Sequence, residues 1–387
     1  MPKITILRKT NLQEDSWHSM LISLLRGLAA LQVAAAHLRA QMYPGFGTVA
    51  NPPVLFKGLA FSVGFAYLAV IVFFVLSGWL VGGSFLNKLE SDRPFQRYAV
   101  DRISRLWVVL VPTFVVVLLA GAAVGVLDRS HASFSTSEPY SVSAFAGNML
   151  GLQTIIVPAF GGNFPLWSLA NETWYYVLFP LLVLVFFGRS IAARVGAVLA
   201  IGAIAQLMHG AILLYFSIWL LGVLFSRIKI EAGPVWRWAL FLLLAGTAVL
   251  IRLKGTVDIR SDNYPQYLLF SLVSVVFLSS MQFKRLSTPM LDQLDRIGRF
   301  FANFSFTLYV VHVPMMLVMG RLVWSLFGIS QLSPYRLSHY LVYFGIYLVL
   351  VVGSYLFSLP FEANTPRVRQ WLKAQLFEGV GVARASR

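Results

Sequence analysis

Residues 60–81 read AFSVGFAYLAVIVFFVLSGWLV, a run without a charged side chain. Wound as an α-helix at 1.5 Å rise per residue, it is about 33 Å long, enough to cross the roughly 30 Å hydrocarbon core of a bilayer. Apolar and polar residues do not alternate along it as they would in a barrel strand, so the backbone must satisfy its own hydrogen bonds as a helix. Nine further apolar runs fall at 20–40, 106–127, 166–187, 192–208, 211–226, 235–252, 264–282, 300–326 and 338–358. The fold class expected is therefore all-α: a polytopic transmembrane bundle of about ten spans.

Composition agrees. The chain is 58% hydrophobic and 12% charged, with a mean hydropathy of +0.74, whereas a soluble domain carries about 25% charged residues. A water-soluble globule is excluded, and the bilayer is the first partner. Zero cysteines exclude disulfides, thiolate metal sites and a cysteine-bound acyl intermediate. The net charge of +16 resolves into a topology. With the N-terminus in the cytoplasm, 22 of the 31 lysines and arginines fall in segments on that side and six on the other, the bias that orients helical membrane proteins. Both termini are expected in the cytoplasm, and no nucleic-acid partner is needed to explain the basicity.

This gives a cytoplasmic tail over 1–19, a membrane domain over 20–358 and a cytoplasmic tail over 359–387. The apolar segment 144–158 (AFAGNMLGLQTIIVP) is too short to cross, and a crossing there would invert every later loop. It is expected to be re-entrant or interfacial, because irregular backbone at membrane depth must be buried in protein or line a wet cavity.

Ionisable groups inside spans are costly and mark function by default. Glu172, His37, His312, Arg26 and Arg321 form that short set. Arg26 lies eleven residues before His37, about 16 Å deeper toward the cytoplasm, and Glu172, some six residues into its span, is expected to share the outer third with His37. A histidine held by a carboxylate can take a proton from an alcohol as that alcohol attacks an activated acyl group. Arginines at the inner face suit an anionic carrier. A proton-coupled secondary transporter or flippase using His37 and Glu172 as a relay is the alternative, although the paired broken helices of such proteins have no counterpart here. His131, His209, His339, Arg39 and Arg321 are assigned no role.

Five segments occur in order: Arg26 followed ten residues later by His37; FFVLSGWLVGGSF over 73–85 with Arg102-Ile103-Ser104-Arg105 after it; NFPLWSLANETWYYVLFP over 163–180; SFTLYVVHVP over 305–314; and PFEANTPRVRQWL over 360–372. Together they resemble the acyltransferase-3 family of integral membrane O-acyltransferases over roughly residues 20–372. The resemblance implies transfer of an acyl group, commonly acetyl from acetyl-CoA, to a hydroxyl of a bacterial surface polysaccharide or its lipid-linked precursor, in the cytoplasmic (inner) membrane. It implies acetyl-CoA as the donor substrate and no metal, and it leaves a homo-oligomer open. It makes His37 the catalytic histidine, as base or as acyl carrier, and the pairing of His37 with Glu172 is the expectation to test. Arg26, Arg102, Arg105, Ser77 and His312 are the candidate donor-binding residues. Trp167, Ser168, Tyr175, Tyr176 and Tyr309 are the candidate acceptor-binding ones. Asn171 stands where family members often carry an aromatic residue. Some relatives continue into a periplasmic domain; the membrane module alone is expected here.

Overall fold

The structure, a computed structural model, describes residues 2–10, 12–127, 133–208, 210–255 and 261–378. His131 and His209, together with Arg129, Arg260, Arg384 and Arg387 of the topology count, lie outside the described residues. The chain folds as an all-α polytopic helical bundle. In order its elements are β1 (Lys3–Ile6), α1 (Trp17–Met42), α2 (Val54–Ser62), α3 (Ala66–Ser77), a π turn over Gly78–Gly82, α4 (Gly83–Asn87), α5 (Pro94–Ala123), α6 (Val142–Met149), α7 (Leu166–Phe187), α8 (Ile191–Leu207) and α9 (Gly210–Phe225). There follow β2 (Ile228–Glu231), α10 (Pro234–Leu253), α11 (Tyr264–Ser280), α12 (Pro289–Asn303), α13 (Ser305–Phe327), α14 (Leu337–Ser358) and α15 (Thr365–Lys373). Each of the ten apolar runs is helical. Seven of the helical stretches are long and apolar enough to cross a membrane, while α8, α9 and α11 have 16 or 17 residues, a little under the roughly 20 of a full crossing.

Contacts at the helix ends sort the loops into two sets. At one end β1 pairs antiparallel with β2, Asp15 meets Lys284 at 3.3 Å, and Lys373 meets Asp101 at 2.6 Å. The segment before α1, the start of α5 and the segments after α9, α11 and α14 therefore share this basic end. At the other, the Leu332 amide donates to the Met42 carbonyl (2.8 Å) and Arg252 Nη2 to the Ala60 carbonyl (2.7 Å). That division is the parity expected of ten consecutive crossings.

Two boundaries differ from the sequence reading. Helix α5 starts at Pro94, twelve residues before the apolar run, because its first turns bury Tyr98, Asp101 and Ser104 against protein. The run at 300–326 is interrupted: Phe304 (φ −122°, ψ 16°) separates the amphipathic α12 from α13. Glycines let α12 lie close against α1, with a Cβ on Gly27 falling 2.7 Å from Phe301 Cβ and one on Gly298 2.9 Å from Leu24.

The segment around 144–158 enters and returns. Phe145 packs on Phe114 (5.5 Å between ring centroids), and Trp107, two turns nearer the basic end, donates to the Met149 carbonyl at 3.1 Å. The chain then comes back to set Phe160 on Phe114 at 4.9 Å. Asn148 closes this hairpin, donating to the Pro158 carbonyl (2.8 Å) and accepting from the Phe160 amide (3.0 Å).

Helices α3 and α9 touch backbone to backbone. A Cβ on Gly78 would sit 1.9 Å from the Trp219 carbonyl oxygen, and one on Gly222 2.1 Å from that of Val75. Gly222→Ala is expected to force the pair apart and destabilise the bundle by about 1–3 kcal/mol, the cost of overpacking, as a lowered unfolding midpoint in detergent. An unchanged midpoint would refute the contact.

Candidate active site

His37 and His312 form a pair. Nδ1 of His37 lies 2.9 Å from Nε2 of His312, and Nδ1 of His312 lies 3.0 Å from the Leu308 carbonyl oxygen. A carbonyl only accepts, so His312 carries its proton on Nδ1 and presents Nε2 as an acceptor. His37 must then donate from Nδ1, which leaves its own Nε2 with a lone pair. His312 is fully buried and His37 half-buried, so of the two hydrogen-bonded rings His37 is the more accessible.

The backbone explains this placement. Pro314 has no N–H, so the Val310 carbonyl four residues back has no helical donor. The Asn163 side-chain amide supplies one at 2.8 Å and thereby sets Phe164 edge-on to the His37 ring, 4.8 Å between centroids. Tyr343 and Tyr347 of α14 donate to the Ala35 and Leu31 carbonyls at 2.9 and 3.0 Å, fixing α1.

Toward the basic end lies a cavity of ≈ 810 Å³ whose charged walls are Arg26, Arg102, Arg105, Arg369, Glu172 and Glu362. Four guanidiniums face two carboxylates. Arg105 is committed to Glu362 at 2.8 Å, and the other oxygen of Glu362 accepts from the Thr307 amide (2.8 Å) and hydroxyl (2.7 Å). Among the described residues Arg26 bonds only the Ala302 carbonyl, at 3.4 Å. Arg102 lies over the rings of Tyr176 (5.4 Å) and Tyr98 (5.8 Å), its Nε buried without an acceptor. Among the described residues neither Arg26 nor Arg102 has a carboxylate within 4.0 Å, so the cavity holds two guanidiniums outside any ion pair at the junction of α1, α5 and α7, with Glu172 on the same wall.

A polar chain crosses its wall. Trp219 Nε1 donates to Ser77 Oγ (3.1 Å), Ser77 lies 3.3 Å from the Tyr176 hydroxyl, and Tyr176 donates to Glu172 Oε1. Because Tyr176 gives its proton to the carboxylate, Ser77 is the donor to Tyr176. At the opposite limit of the cavity Ser168 bonds the Tyr309 hydroxyl (2.6 Å), which donates to the Pro165 carbonyl (2.9 Å). This Tyr309–Ser168 pair and the Phe164–Pro165 segment stand between the cavity and the histidines, the Tyr309 and His312 rings being 6.1 Å apart.

The structure therefore brings Arg26, Ser77, Arg102, Arg105, Ser168, Glu172, Tyr176 and Tyr309 to one cavity and His37 with His312 to a site beyond its wall. Glu172 does not meet His37: it bonds Tyr176 beside the arginines. The reason is the hairpin, which has already carried the chain down to the His37 level at Phe164, so Glu172, eight residues on, lies about 12 Å further toward the basic end. The ring that bonds His37 is that of His312, where the sequence reading expected Glu172. Tyr175 is buried away from the cavity, its hydroxyl on the Ile212 carbonyl at 3.0 Å, and Trp167 does not line it. Glu362 and Arg369 were missed, because the segment after α14 reads as a charged tail. It is folded instead, with Glu362 only 5% exposed. A lone glutamate inside PFEANTPR among so few acidic residues was the available signal.

The model of the acyltransferase-3 family, described as an acyltransferase domain, matches residues 22–362. The chain belongs to this family and is a membrane acyltransferase. No curated protein and no solved structure gives a significant match.

Proposed function

We propose that the protein moves an acyl group, acetyl in the simplest case, from acyl-CoA to a hydroxyl of a bacterial surface glycan or its lipid-linked precursor, in the cytoplasmic membrane. The observation that carries this reading is the polarity of the site. An imidazole with a free Nε2 lies on one side of the Tyr309–Ser168 wall, and a cavity with two unpaired guanidiniums lies on the other, toward the basic end. Phosphates of the donor suit Arg26 and Arg102, with Arg105 held in place by Glu362, since guanidinium forks bind phosphate bidentately. The acyl arm then points along Ser77 and Tyr176 toward Tyr309.

In the transfer the acceptor oxygen bonds the thioester carbonyl carbon while its proton passes to His37 Nε2. Collapse of the tetrahedral adduct breaks the C–S bond, and the thiolate leaves with the proton returned from the imidazolium. His312 accepts from His37 Nδ1–H throughout, holding the ring and supporting the cation as it forms. The thioester must pass Tyr309 and Ser168 to reach His37, so this wall is the part of the site that has to move. The test is incubation of the purified protein in nanodiscs with acetyl-labelled acetyl-CoA and envelope glycan. Labelled ester on the glycan with equal release of CoA is expected. Neither product at saturating donor would overturn the reading.

A further inference from the structure

A smaller cavity of ≈ 390 Å³ adjoins the first, and Val81, Ser84 and Arg102 line both. It sits between the π turn, α4 and the first two turns of α5, and its remaining charged walls are Lys88, Asp92, Arg97, Asp101 and Lys373. The carboxylates there are already occupied: Asp101 lies 2.6 Å from Lys373 and 3.9 Å from Lys88, and Asp92 3.8 Å from Arg93. Arg97 and Arg102 have no carboxylate within 4.0 Å among the described residues. Among those residues Nε of each is buried without an acceptor, and so is the hydroxyl of Tyr98, a residue 9% exposed. Arg97 is steadied by the Phe377 ring, 5.3 Å from its guanidinium carbon. Buried donors left unsatisfied cost free energy until an acceptor arrives, and the acceptor that suits two guanidiniums and a phenol is an oxyanion of about two charges.

We propose that this second cavity binds the 3′-phosphate of the acyl-CoA nucleotide through Arg97, Arg102 and Tyr98, an inference that rests on acyl-CoA being the donor. A phosphomonoester dianion matches the two unpaired cations in charge and the guanidinium fork in shape. The 3′-phosphate and the 5′-diphosphate hang from one ribose, so their sites must adjoin. Arg102 stands on the wall the two cavities share.

The experiment is calorimetric binding of CoA and of 3′-dephospho-CoA to the purified full-length protein in nanodiscs, for the wild type, Arg97→Gln and Tyr98→Phe. The wild type is expected to bind CoA ~10–100-fold more tightly than 3′-dephospho-CoA, the range of a charge-assisted contact. Arg97→Gln removes most of that ratio by weakening CoA alone, and Tyr98→Phe removes a smaller part of it. Equal wild-type affinities, or an Arg97→Gln loss of the same size for both ligands, would overturn the 3′-phosphate site and leave acyl-CoA standing as donor. Binding of neither ligand would overturn both. The wild-type comparison needs no substitution, so a variant that fails to fold does not remove the test.

Discussion

His37→Ala is expected to lower acyl transfer by ~10²–10⁴-fold, the range contributed by a positioned general base, with donor affinity unchanged within about twofold. The split follows from the geometry: His37 is outside the walls of the arginine-lined cavity, beyond the Tyr309–Ser168 pair. His312→Ala removes the acceptor for His37 Nδ1–H and frees the ring to turn, so it too should slow transfer, by less. Because the two rings act as one unit, the double variant should be no slower than His37→Ala alone. His312→Gln, which keeps an acceptor oxygen near Nδ1, should recover part of the loss. Transfer by His37→Ala at the wild-type rate would remove the imidazole from the chemistry. A donor affinity that falls together with the rate would instead place His37 in the donor site.

The residues of this pair were legible in the sequence and their partnership was not. His37 and His312 stood out because ionisable groups within apolar helices are costly. What joined them is the packing of α13 on α1, the two rings being 275 positions apart in sequence, and no local spacing encodes that. Glu172 was placed too near the outer surface for a related reason. Counting residues from the start of an apolar run gives depth only when the helix begins at the surface, and α7 begins below it, after the returning arm of a hairpin pinned by Asn148, Gln153 and Asn163. The short apolar segment itself was readable as re-entrant, because the charge bias of the later loops forbade a crossing. That the ten apolar runs are helical was readable from length and hydropathy alone, since a lipid-facing segment has no other way to satisfy its backbone. The break at Phe304 was not, as apolar residues continue through it.

The second large effect belongs to a residue that sequence reading left in a tail. Glu362→Ala is expected to destabilise the protein by about 3–5 kcal/mol, because removing one partner of a buried ion pair leaves the other charge uncompensated. Here the loss has two parts. Arg105 gives up the one carboxylate within 4.0 Å of it among the described residues, at 2.8 Å, and the Thr307 amide and hydroxyl give up their shared acceptor at the start of α13. The side chain of Glu362 is 3% exposed and that of Arg105 27%, so water does not readily replace the missing oxygens. Glu362→Gln keeps a carbonyl oxygen for Thr307 and loses only the charge on Arg105, and should cost less. Arg105→Ala combined with Glu362→Ala removes both charges, so it should be less destabilising than the sum of the two single changes. Thermal unfolding of the purified variants in one detergent gives the order directly: wild type highest, then Glu362→Gln, with Glu362→Ala lowest of the three. Glu362→Ala melting with the wild type would mean that the pair holds nothing together. In that case the folded segment from Pro360 to Lys373 would have to be kept against α5 by contacts such as those of Arg369 and Lys373 with Asp101.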